Sequence, residues 1–237
     1  MPLRRSTWTP PAPQFPPPAN QHLRTVLVDR PDAVQTVVRF LMPAPPYSSP
    51  NRQELDLLGT ILGGSFTSRL NQNLREDKGY TYGARCNFVM DRAVGFFAAE
   101  SAVRADVTGP AVAEFLKEFA AIRSGDMSPG ETEKARATAR MGVIQSLAGL
   151  SGTLAHAVTL IQNDRPFTQL ADDLEQMRSI TADKLNQLAR DALPLEKGLL
   201  VLVGDKATIT KQLKPLQLPP PVEWTVTGHP LTGNAQR

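Results

Sequence analysis

Strand-like and helix-like segments do not alternate one-for-one along this chain, and that order argues for an α+β domain with one largely antiparallel sheet and helices packed on it. Residues 22–29 (HLRTVLVD) and 33–41 (AVQTVVRFL) are rich in β-branched side chains and flank a turn at Arg30, Pro31 and Asp32, so two strands are expected first. Ser49 followed by Pro50 is a helix-start signal, a capping hydroxyl before a residue already locked at helical φ. The helix it opens is expected to run to about Leu62, burying Leu55, Leu58 and Leu62 at helical spacing. Gly63 and Gly64 stop it, and Ser65 is placed to cap a second helix over 66–77. Gly79 then releases the chain into a strand over 82–90, and Asp91 and Arg92 turn it into a hairpin partner over 93–103.

The rest is mostly helical. A helix is expected over 108–124. Ser128, Pro129 and Glu131 form a capping box with proline at the first helical position, opening helices that continue to about Ile161, then 167–177 and 181–192. GLLVLV at 198–203 is short and continuously apolar, which reads as a buried strand, and a last short helix ends near Leu213. The expected fold is α+β, a largely antiparallel mixed sheet packed against helices, in one domain over 22–215. Before it, 1–21 reads as a Pro-rich linker or tail, with six prolines between Pro10 and Pro18 favouring extended polyproline conformation. After it, 216–237 reads as a flexible C-terminal tail.

Composition excludes more than it selects. Hydrophobic residues make up 41% and charged residues 21% of the 237, ordinary for a chain with a proper core, and the formal net charge of +3 is scattered. No basic run is interleaved with aromatics, so no nucleic-acid partner is expected. No stretch approaches the roughly 18 apolar residues of a membrane span. The single cysteine, Cys86, cannot form an internal disulfide or a cysteine zinc site, which leaves the compartment open; bacterial periplasm and cytoplasm both fit.

Catalytic sets are missing from the sequence. The three histidines, His22, His156 and His229, are far apart, and neither His-x-x-Glu-His nor His-Glu-x-x-His occurs. His156, among apolar neighbours, reads as a half-buried helix residue. Gly64-Ser65 is half of a nucleophile elbow and reads as a helix cap. Cys86 lies mid-strand as an inert thiol, and Gly204-Asp205-Lys206 lacks the other glycines of a phosphate loop. No catalytic residue and no metal ligand is therefore expected in this chain.

One segment remains, LGGSFTSRLNQNLREDKGYTYG at 62–83. Leu70 and Leu74 are four apart and face a core; Arg69 and Asn73 share a neighbouring face. Arg75 falls near a helix end, where the macrodipole favours a cation, and Gly79 permits a left-handed exit. A tight turn would bring Arg75 and Tyr82 to one rim of the sheet. There they either cap and pack, or hold a peptide carbonyl or oxyanion.

This segment resembles the C-terminal, non-catalytic domain of the insulinase or pitrilysin-type zinc peptidases, the inverzincins, in their bacterial processing-peptidase-like form. VDRPDAVQTVVRF resembles that domain's first hairpin and GLLVLVGD its closing strand and turn, so the likeness covers about 23–216. It implies a clam-shell metallopeptidase in which a zinc-bearing homologous domain or subunit, fused upstream or separate, carries the metal. This chain would then be zinc-free, inactive alone and peptide-binding. By motif match the substrate-binding pair is Arg75 and Tyr82, with Tyr80, assigned to the same face by strand alternation, as the competing choice. The alternative is a structural or interaction module of the same fold without a proteolytic role.

Overall fold

The computed structural model describes residues 21–231. The Pro-rich stretch at 1–20 and the last six residues, 232–237, lie outside that range. Strand β1 (Arg24–Asp29) and strand β2 (Gln35–Ala44) come first. Helix α1 (Arg52–Gly59) runs on into a wider, π-type turn at Thr60–Gly64, and α2 (Arg69–Asn71) into a second one at Gln72–Asp77. The hairpin β3 (Thr81–Met90) and β4 (Gly95–Arg104) follows. Helices α3 (Thr108–Ser124), α4 (Pro129–Ser146), α5 (Leu150–Gln162), α6 (Gln169–Ser179) and α7 (Ala182–Ala192) precede β5 (Leu199–Gly204), α8 (Lys206–Leu213) and β6 (Val222–Trp224).

The result is an α+β domain with one mixed six-stranded sheet in the order β3-β4-β2-β5-β1-β6. β1 and β2 do not form the hairpin expected of them. β5 lies between the two, parallel to β1 and antiparallel to β2. Every side chain of the Leu199–Val203 run is apolar, so neighbours on both sides suit it better than an edge would. Part of the segment expected to be a flexible tail adds an edge strand, with Val222 opposite Val26 of β1.

Alternate residues of the strands face the helices. Val38, Phe40 and Met42 from β2, Phe97, Ala99 and Val103 from β4, and Leu200 and Leu202 from β5 join Phe115, Phe119 and Leu185 of the helices in one core. Phe40 meets the Phe119 ring edge-on at 5.1 Å, and Phe97 does so at 6.0 Å. The opposite sheet face is only partly covered: Val37 is exposed, and Val201 and Val203 are half-buried.

Several sequence signals act where expected. Ser128 Oγ accepts from Glu131 N (3.2 Å) while Ser128 N donates to Glu131 Oε2 (2.9 Å), a complete capping box. Gly125 ends α3 at φ +79°. Two cap expectations shift. α1 begins at Arg52, with Ser49 Oγ accepting from Asn51 N instead of capping the helix (3.3 Å). The second helix begins at Arg69, three residues later than the start expected of a Ser65 cap, and Ser65 stays extended.

Candidate functional site

The segment at 62–83 is held against the edge of the sheet by close backbone contact. A Cβ on Gly63 would lie 2.7 Å from both the N and the Sγ of Cys86, so only glycine lets the π-type turn lie this close to β3. π-type turns inside α-helices recur at functional sites, and here one overlaps the start of the motif and a second lies within it. Leu70 and Leu74 are fully buried beneath it, as their spacing implies.

Asn71 fixes the register between helix and strand. Its Oδ1 accepts from Ala84 N (2.8 Å) and its Nδ2 donates to Ala84 O (2.9 Å), so the side-chain amide behaves as a neighbouring strand would at a free sheet edge. Nδ2 also reaches Ser65 O at 2.9 Å, which ties down the loop before the helix. Nothing in local sequence spacing singles Asn71 out; its role follows only from the register of β3.

Arg69 and Asn73 lie on the next face, as expected, and line a polar cavity of about 640 Å³ together with Ile61, Glu118, Glu131 and Lys134. Arg69 Nε donates to Glu131 Oε1 (2.7 Å), Nη2 to Oε2 (3.0 Å), and Nη1 to Asp126 Oδ1 (2.6 Å). The Arg69 hydrogen bonds, with those from Ser128, hold the Glu131 carboxyl down at about 2. Arg69 thereby pins the motif to the start of α4. Asn73 donates to Glu114 (2.8 Å) and Glu118 (2.7 Å) of α3.

Arg75 is on neither of these faces. Its guanidinium carbon lies 3.4 Å from the centroid of the Phe66 ring, and its Nε donates to Glu76 Oε1 at 2.7 Å. Gly79 leaves the helix at φ +63°, and Tyr80 N donates back to Leu74 O (2.8 Å), the expected left-handed exit. Sequence spacing gave no signal for Phe66 as the platform under Arg75, because it reads there as the first residue of a helix.

The two tyrosines part company. Tyr80 precedes β3 and packs against the core, while the Tyr82 side chain is 94% exposed. The register between β3 and β4 slips between Thr81 and Ala84, a bulge with one extra residue on β3. That residue turns Tyr82 outward, although Ala84, Cys86 and Phe88 keep the inward parity. Tyr80 lies outside β3, so strand alternation does not put it on one face with Tyr82. The Thr81 hydroxyl stabilises the bulge, donating to Ala102 O (2.7 Å) and accepting from Gly83 N (3.1 Å).

The remaining candidates are structural. Cys86 is buried, its thiol is pushed up by desolvation, and Sγ sits 3.3 Å from Gly59 O. Asp205 caps α8 by accepting from Thr208 N (2.8 Å), and Lys206 pairs with Glu223, so the would-be phosphate loop is a turn. His156 is half-buried on α5. Among the described residues no group of three or more His, Cys, Asp or Glu could hold a metal ion. The three histidines, His22, His156 and His229, lie on separate segments and do not make a zinc donor set among the described residues.

Comparison with known proteins agrees with this fold. The profile of the family described as peptidase M16 inactive domain matches residues 3–139. An uncharacterised zinc protease of Mycobacterium leprae is 30% identical over 190 residues, covering 77% of this chain and 42% of its own length. Among solved structures, a peptidase M16 inactive domain from Pseudomonas fluorescens superposes with a TM-score of 0.72 at 20% identity, over 84% of this chain and 47% of that one. A protease from Helicobacter pylori does so with a TM-score of 0.76 at 16% identity, over 84% and 48%. This chain belongs to the peptidase M16 inactive-domain family. It spans less than half the length of the curated relatives it matches.

Proposed function

We propose that this chain is the non-catalytic, substrate-contacting domain of a zinc metalloendopeptidase, completing the active-site chamber opposite a zinc-bearing domain. The observation that carries the reading is the state of the motif pair. Arg75 is pre-positioned on Phe66 while Tyr82 is turned to solvent at a bulge in β3. A guanidinium stacked in place and a phenol open to solvent suit a peptide carbonyl, or the oxyanion that forms from it when water adds. One such pre-organised donor contributes roughly 2.7–4 kcal/mol to the transition state. Tyr82, not Tyr80, is assigned the second contact, since the Tyr80 ring is packed against the core.

Zinc and the base that activates water belong, in this reading, to the homologous partner, fused or separate. The chain contributes binding and charge stabilisation only. The test is bound zinc and peptidase turnover for this chain alone and after addition of the zinc-bearing domain. Turnover only in the assembly, with no zinc in the isolated chain, supports the assignment. Stoichiometric zinc and turnover by the chain alone overturn it.

A further inference from the structure

Between Arg140 and Asp164 the chain carries no Asp, Glu, Lys or Arg. This stretch is the end of α4 and all of α5, two helices that meet at a break bent by 108°. Such a neutral, apolar sequence ordinarily belongs in a core. Here α5 buries only Leu160, and that residue lies outside the main core cluster. Leu150 is 87% exposed, Leu154 and Ile161 62% each and Val158 41%, a run at helical spacing along one face of α5, and Met141 and Ile144 on α4 are exposed as well. Scattered exposed leucines need no explanation, but a contiguous apolar patch marks an interaction surface.

We propose that α5, with the last turns of α4, is the seat of the zinc-bearing domain, an inference that rests on the reading of this chain as one half of a peptidase. Two observations select that occupant. The relatives this chain matches are more than twice as long as the matched part, so in them a second body of comparable size accompanies it. The patch also has no charge to steer a transient encounter, which is the character of a permanent, desolvated interface. The patch lies on elements separate from Arg75 and Tyr82, so docking and substrate contact can be tested independently.

The experiment titrates this chain against the zinc-loaded homologous domain carrying His-x-x-Glu-His, with Leu154→Glu/Val158→Glu beside the unaltered chain. The double variant is expected to raise Kd roughly tenfold or more without lowering the melting temperature, because both side chains are already exposed here. As a second reading, amide exchange of the unaltered chain is expected to slow across Leu150–Gln162 on adding the partner. Unchanged affinity together with unchanged exchange overturns the proposal. So does dimerisation of the chain alone that the double variant abolishes while partner binding persists, since the surface then joins two copies. Selective binding of α5 to phosphatidylcholine/phosphatidylglycerol vesicles, with partner affinity intact in the double variant, overturns it too. Arg75→Ala with normal turnover and normal Kd would sink the substrate-contact role and leave this surface standing.

Discussion

Arg75 and Phe66, nine residues apart and on opposite sides of a helix start, form a stacked pair with the guanidinium carbon 3.4 Å from the ring centroid. The ring is itself 72% exposed, so it serves as a floor for the cation more than as part of the core. Glu76 holds the guanidinium from the side through Nε.

A stacking contact at an exposed site contributes about 0.5–1 kcal/mol. Phe66→Ala is therefore expected to lower kcat/KM of the assembled peptidase by roughly two- to fivefold, less than loss of Arg75 itself. Phe66→Tyr should restore it. Steady-state kinetics on an unfolded peptide check both; equal loss in the Ala and Tyr variants would show that the ring acts in some other way.

Asn71 is the only partner of the Ala84 backbone N–H and C=O among the described contacts outside the sheet. Asn71→Leu leaves both groups buried and unpaired, at about 1–3 kcal/mol. In a domain of this size, where 1 kcal/mol moves Tm by about 2–4 °C, that is a fall of roughly 2–12 °C, read by calorimetry. An unchanged Tm would mean that β3 does not depend on this clamp.

The ion pair between Arg69 and Glu131 makes stability pH-dependent in a predictable direction. The Glu131 carboxyl is held at about 2 in the fold against an ordinary 4.5. A depressed carboxyl stabilises the fold fully above its ordinary value, and that stabilisation drains as pH falls from about 4.5 toward about 2. Glu131→Gln should lower the urea midpoint at pH 6 and converge on the unaltered protein at the acid end. Parallel pH profiles for the two proteins would contradict the assignment.

The contact at Gly63 predicts that Gly63→Ala is destabilising, because the new methyl meets backbone at 2.7 Å and cannot be relieved by a rotamer change. Overpacking of this kind costs about 1–3 kcal/mol. Chemical denaturation measures it; a neutral variant would mean that the turn and β3 can separate freely.

Which features were legible in the sequence follows from the range of the interactions that set them. The capping box at Ser128, the exit at Gly79 and the burial of Leu70 and Leu74 depend on residues within one or two turns of each other, and spacing reveals them. The insertion of β5 between β1 and β2 depends on pairings such as Arg24 with Leu199 and Leu41 with Leu199, far apart in the chain. The outward turn of Tyr82 depends on one extra residue in β3 relative to β4, which alternation within β3 does not disclose. Phe66 under Arg75 and Asn71 on Ala84 are likewise tertiary pairings. Arg75 and Tyr82 were nameable from the motif, but what distinguishes Tyr82 from Tyr80 is visible only in the structure.

The substrate-contact role is tested most directly by kcat/KM of the assembled peptidase with Arg75→Ala, with bound zinc measured on the same samples. The account predicts a fall of roughly 10²–10³-fold with zinc content unchanged. Turnover within twofold of the unaltered assembly would contradict it, leaving a domain of this fold without a part in peptide cleavage.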